Sequence, residues 1–167
     1  CIYTIDLVGL LQSHGHDVAV FAMQHPETLQ TPWNKYFPEE VKFGMGVSSF
    51  KAILRPFGTA DVIQKFNALL DDFKPDIVHL NNIHSQLSPV IAEVAHSRGI
   101  KVFWTLHDHK LLCSRYDCLR NGTICEQCLD NLHNVVKHKC LKNSYIASSI
   151  AYFEAKKWNR DRLEKCT

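Results

Sequence analysis

Residues 75–109 read PDIVHLNNIHSQLSPVIAEVAHSRGIKVFWTLHDH, and this stretch decides the fold. Pro75 ends whatever precedes it, and Asp76-Ile77-Val78-His79-Leu80 reads as a strand running into the polar turn Asn81-Asn82. Ser88-Pro89 marks a helix start, because a Ser hydroxyl accepts an orphan backbone N–H and Pro fits the first helical turn. Val90, Ile91, Val94 and Ala95 carry that helix to a stop at Arg98-Gly99, and Ile100 to Leu106 reads as the next strand. Strand, helix and strand in such short order predict a right-handed crossover between parallel strands.

The pattern extends upstream. Thr59 is placed to cap a helix whose Val62 or Ile63, Phe66, Leu69 or Leu70 and Phe73 share one face. Before it, residues 25–58 lose all periodicity and carry Pro26, Pro32, Pro38, Pro56, Gly44, Gly46 and Gly58, so a long loop with one short strand is expected. Val18 to Met23 is an unbroken apolar run, the pattern of a strand covered on both faces. Ile2, Ile5, Val8 and Leu11 or Leu10 repeat at helical spacing up to a stop at His14-Gly15. The fold class is therefore α/β, with a Rossmann-like open parallel sheet. A first strand is expected ahead of Cys1, and the chain reads as a piece of a longer one.

Composition narrows the class. At 167 residues, 46% hydrophobic and 22% charged, the chain fits one globular domain and not a disordered segment. No apolar run reaches the ~18 residues of a membrane span, and no secretory signal is visible. Residues 1–106 hold 8 basic and 10 acidic groups, and residues 107–167 hold 11 and 7. That basic excess is too small for a nucleic-acid footprint, so no nucleic-acid partner is expected. It suits a solvated helix face or a peripheral contact with an anionic membrane. Free cysteines and the lack of a signal point to a cytoplasmic protein, at the inner face of the membrane if that contact is made.

In open parallel sheets, ligands bind beyond the carboxyl ends of the strands. Two polar groups of residues fall there: Asn81, Asn82, His84 and Ser85 after one strand, and Thr105, His107, Asp108 and His109 after the next. Asn81, Asn82 and Ser85 also suit plain turn and capping roles. His107 beside Asp108 places an imidazole and a carboxylate where a hydroxylated ligand would meet them.

Five of the seven cysteines, Cys113, Cys118, Cys125, Cys128 and Cys140, fall within 28 residues. Cys125-Glu126-Gln127-Cys128 has the two-residue gap that lets neighbouring thiolates reach one tetrahedral ion, with the Asn121-Gly122 turn just before it. The spacing predicts a structural zinc held by Cys113, Cys125, Cys128 and Cys140, with Cys118 or His138 competing for the fourth place. Disulfides and free packed thiols are the alternatives. Ser144 to Lys165 reads as one helix, with Ile146, Ile150 and Phe153 on one face and a basic end. It either packs on the core or meets a membrane surface.

Taken in order, several stretches resemble the N-terminal domain of family-4 glycosyltransferases. They are Pro75 to His84, Leu87-Ser88-Pro89, Thr105-Leu106-His107-Asp108, Leu112-Cys113, Asn121-Gly122, and Ile124-Cys125 through Cys128. Cys140 through Ser144 and the following helix are similar to a cysteine-bearing subset of that family, although Ser114 stands where many relatives have Pro. The resemblance implies the N-terminal, acceptor-side half of a two-domain GT-B fold over residues 1–167, with a Cys-rich insertion at 107–142. It implies a retaining transferase of cell-surface polysaccharide biosynthesis that moves a hexosyl or related sugar from a nucleotide-sugar donor to a sugar or lipid-linked acceptor. The donor would be bound mainly by a C-terminal domain that these residues do not include, so this piece alone is expected to be inactive. By position, His107 matches the family's strand-end histidine that contacts the transferred sugar. Asn82, His84 and Asp108 are the further candidates for lining the cleft. The competing reading is a zinc-stabilised binding module with no enzymatic activity.

Overall fold

The computed structural model describes residues 2–41 and 52–167; Cys1 and the part of the expected loop at 42–51, with Gly44 and Gly46, lie outside the described residues. Helix α1 spans Ile2–Ser13 and ends at Gly15, whose φ of +83° favours glycine. None of its residues is buried, and Ile2, Ile5 and Leu10 are exposed.

The strand expected at Val18–Met23 does not form. A strand exists only where its amides find a neighbouring ladder. Among the described residues, pairing here is limited to one isolated parallel bridge, Gln24 with Glu39, in which the Gln24 amide donates to the Pro38 carbonyl at 2.8 Å. The run is instead held by side chains, with the Phe21 ring 5.0 Å from Phe66 and 6.3 Å from Phe37. The described part of the loop contains a 3-10 turn at Pro32–Tyr36, capped by Thr31 and Asn34.

Helix α2, Ala60–Phe73, buries Val62, Phe66, Leu69 and Leu70, as its periodicity predicts. Thr59 does not cap it through its side chain; the hydroxyl is buried without a hydrogen-bond partner. Strands β1, Ile77–Leu80, and β2, Lys101–Trp104, pair in parallel, with Leu80 opposite Trp104. Helix α3, Val90–Ser97, makes the crossover between them. β2 is shorter than the run Ile100–Leu106, and the Thr105 amide makes a last bond to the Leu80 carbonyl at 2.9 Å.

Ser88 sits at the α3 entry with φ +67°, fully buried. Its hydroxyl accepts from the Val90 amide at 3.3 Å and donates to the Pro56 carbonyl at 2.7 Å. The same carbonyl accepts from the Trp158 indole at 2.7 Å. Three distant parts of the chain thus share one oxygen. Leu80 and Val102 of the sheet join α2, α3, Trp158 and Leu163 in one core. Ile77 and Phe103, on the opposite sheet face, stay exposed.

The C-terminal stretch is two helices, not one: α6, Tyr145–Lys157, and α7, Arg160–Leu163. The break falls where Asn159 opens a new helix by accepting from the Arg162 amide at 2.8 Å, next to the pinned Trp158. The expected apolar face is also corrected: Ile146 and Phe153 are exposed, while Ser148, Ala151 and Glu154 face inward. Between core and α6, residues 107–142 form a short hairpin, β3 (Leu119–Arg120) with β4 (Thr123–Ile124), and two single-turn helices, α4 (Gln127–Asp130) and α5 (Asn134–Lys137).

Candidate functional site

The register that sets Leu80 opposite Trp104 brings the two strand ends to one level, so the residues after them meet. His107 Nε2 lies 3.2 Å from Asn81 Oδ1. The Trp104 indole donates to the Asn81 carbonyl at 3.0 Å, so both ends of Asn81 are held by the β2 side. One ring contact completes the setting: Tyr3 of α1 meets the His107 imidazole edge-on at 5.0 Å. Just below, His79 and Thr105 hydrogen-bond across the strands at 2.8 Å. Asn81 Oδ1 can only accept, so in this bond His107 Nε2 is the donor.

His84 packs against the other side of Trp104, with ring centroids 5.2 Å apart. Burial pushes its pKa down to about 4; the Lys110 cation adds to this, and the Asp108 carboxylate pulls the other way. His84 is therefore a neutral imidazole at pH 7. Asp108 Oδ1 accepts from the Lys110 amide at 2.9 Å, a turn that fixes the loop. Lys110 in turn reaches Glu154 of α6 and the Ser114 carbonyl, both at 3.2 Å.

Of the residues singled out from sequence, His107, His84 and Asp108 gather at the strand ends, and Asn82 stands exposed beside them. Asn81, one of the polar residues after β1 that also suits a plain turn, is the one that holds His107. Trp104 and Tyr3 had no polar signal to mark them. The one available clue was that Asn81 directly follows β1, where a neighbouring strand end must lie close.

The cysteines form a second group. Cys113, Cys118, Cys125 and Cys128 line a cavity of about 390 Å³ together with His109 and Asp117. Cys140 lies outside that lining, and its thiol points at the Asn134 carbonyl. His138 also lies outside it. All of the described cysteines are free thiols. Among the described residues, no three His, Cys, Asp or Glu side chains are grouped tightly enough to hold a metal ion as they stand. A different cavity, of about 380 Å³, lies over Gln24, His25 and Asn34, away from both groups.

A parallel strand pair with its polar residues gathered at the carboxyl ends defines an α/β protein of the kind that binds ligands there. The chain belongs to Glycosyltransferase Family 4, whose family model matches residues 2–135. No curated protein and no solved structure matches it. A glycosyltransferase domain is consistent with the mixed α/β order and the parallel strand pair. Among the described residues, no helix is long and apolar enough to cross a membrane.

Proposed function

We propose that this chain is the acceptor-side, Rossmann-like half of a retaining GT-B glycosyltransferase. The whole enzyme moves a hexosyl or related sugar from a nucleotide-sugar donor to a sugar or lipid-linked acceptor, with the donor held mainly by a second domain. The observation that carries this reading is the His107–Asn81 pair at the strand ends in a chain of family 4. With Nε2 engaged by Asn81, His107 offers Nδ1 to a hydroxyl of the transferred sugar and orients it, without acting as nucleophile. His84, kept neutral, adds an uncharged polar group to the same cleft, and Asp108 and the exposed Asn82 offer further contacts to hydroxyls. The basic C-terminal helices suit a peripheral contact with the anionic inner face of a membrane, where a lipid-linked acceptor would lie.

The test is nucleotide release by the protein at its native length, across a panel of nucleotide sugars, with and without an acceptor extract. Transfer from one donor is expected, and His107→Ala should lower it by ~10-fold or more through lost orientation. Transfer unchanged in that variant removes His107 from the site. No release from any donor removes the transferase reading.

A further inference from the structure

Helix α6 is folded with its large apolar side chains outward. Ser148, Ala151 and Glu154 are buried, while Tyr145, Ile146 and Phe153 are 58%, 76% and 59% exposed. At 3.6 residues per turn, Tyr145, Ile146, Ser149, Tyr152, Phe153 and Lys156 share one stripe about 120° wide, opposite the buried three. Single exposed apolar residues are ordinary on a protein surface. A contiguous stripe of them, on a helix that turns its small and acidic residues inward, marks a face that meets an apolar medium.

The charges around the stripe identify that medium. From His133 to Lys157 the chain carries five lysines and one acidic residue, Glu154. Glu154 faces inward and is paired with Lys110 at 3.2 Å, so it does not offset them. Two of the lysines lie against rings of the stripe. Lys139 Nζ is 4.4 Å from the centre of the Tyr145 ring at one end, and Lys156 Nζ is 6.0 Å from that of Tyr152 near the other. Tyr152 and Phe153 meet edge-on at 5.3 Å between them. Apolar and aromatic groups flanked by cations match a surface of anionic lipid, where the apolar side chains enter the acyl boundary and the ammonium groups reach the phosphates on their long stems. A second copy of the same face would set lysines against lysines, which opposes docking.

We propose that α6 lies flat on an anionic bilayer, with Ile146 and Phe153 inserted and Lys139 and Lys156 at the lipid phosphates. The inference rests on the peripheral membrane contact suggested for the enzyme, and it names the face that makes that contact. It also sets α7 apart, because Leu163 is buried there and Arg160 and Arg162 are paired with Glu164 and Glu93. The docking face is preformed. Ser144 opens α6 by accepting from the Ala147 amide at 3.3 Å, and the Ser148 hydroxyl accepts from the Leu141 amide at 3.1 Å. Binding therefore needs no folding step, which keeps its entropic cost low.

The experiment is co-sedimentation of the native-length protein with vesicles of phosphatidylcholine, alone or mixed equally with phosphatidylglycerol. Binding to the mixed vesicles only is expected, weakened by added salt. Ile146→Asp with Phe153→Asp should lower it ~10-fold or more, as two apolar groups leave the lipid. Lys139→Gln with Lys156→Gln should also lower it ~10-fold or more. Equal binding to both vesicle types, or binding that either double variant keeps in full, overturns the proposal. Failure to bind either vesicle overturns it too, and a dimer broken by Ile146→Asp would then give the face to a second copy. Because a variant can fail to fold, amine labelling of the wild type is the second measurement. Mixed vesicles should protect Lys139 and Lys156 while Lys74, at the end of α2, reacts as before. Equal labelling of all three with and without vesicles overturns the proposal. Vesicle binding needs no sugar donor, so it fails or holds independently of the nucleotide release that tests the transferase reading.

Discussion

His107 Nε2 and Asn81 Oδ1 lie 3.2 Å apart, one hydrogen bond that joins the ends of two neighbouring parallel strands. The bond fixes the orientation of the exposed imidazole. On the proposed reading of His107, Asn81 is then a positioning residue. Asn81→Ala should lower kcat by about 5-fold, the worth of one net hydrogen bond, with a smaller change in KM. Asn81→Asp keeps an acceptor oxygen at the same place and should recover most of that loss. Steady-state kinetics of the native-length enzyme check it, and equal losses in both variants would remove the positioning role.

Much of this was legible in the sequence, and the failures share a cause. The β1–α3–β2 crossover and α2 were readable because most of their apolar residues, Val62, Phe66, Leu70, Leu80, Val90, Ile91 and Val102 among them, face one core, so local pattern and tertiary packing agree there. Val18–Met23 has the pattern of a strand, but pattern does not supply a hydrogen-bonding neighbour. Ile146 and Phe153 share a helical face, yet α6 packs through Ser148, Ala151 and Glu154, because small residues and a paired carboxylate allow close approach there. At the site, His107 was visible by its chemistry. Asn81 stood out only as one polar residue at a strand end, and its pairing with His107 was not legible, since that is set by the register of two strands and not by any local motif.

His84 gives a pH dependence of stability. Its unfolded imidazole titrates near 6.5 and its folded one near 4. Between those values the unfolded chain holds a proton that the folded chain refuses, so stability falls as pH drops through this window. Above it both states are neutral, and below it both are charged, so the contribution is flat on either side. The full loss is about 3 kcal/mol. His84→Phe keeps a ring against Trp104 and removes the titration. Its thermal midpoint should fall less than that of the wild type between pH 7 and pH 4. Parallel curves would show that burial of His84 is not the cause.

Gly58 is confined by its own backbone and by α3. Its φ is +88°, and a Cβ there would lie 2.9 Å from Val90 Cβ and 3.1 Å from each Val90 methyl. Gly58→Ala should destabilise by about 2–4 kcal/mol, part from the left-handed backbone and part from overpacking. Adding Val90→Ala relieves the contact but not the backbone, so the double variant should recover only the steric share, less the cavity it opens. Urea midpoints of the three proteins separate the two parts. A Gly58→Ala protein as stable as the wild type would mean that the turn at Arg55–Gly58 is free to shift.

Lys110 and Glu154 tie the cysteine-bearing segment to α6 through an ion pair at 3.2 Å, with side chains 17% and 10% exposed. Lys110 also donates to the carbonyl of Ser114, one of the buried residues of that segment. Two charges this enclosed depend on each other more than on water. Glu154→Ala leaves an ammonium group without its counter-ion and should cost about 3 kcal/mol. Replacing both residues by apolar ones of similar size, Lys110→Met with Glu154→Leu, removes the charges together and should return the protein to within about 1 kcal/mol of the wild type. Denaturant midpoints of the single and double variants measure the coupling. Limited proteolysis near the exposed Tyr116 reports whether the segment has come away from α6. If the single variant loses nothing, water already screens the pair, and the segment must be held by its other contacts alone.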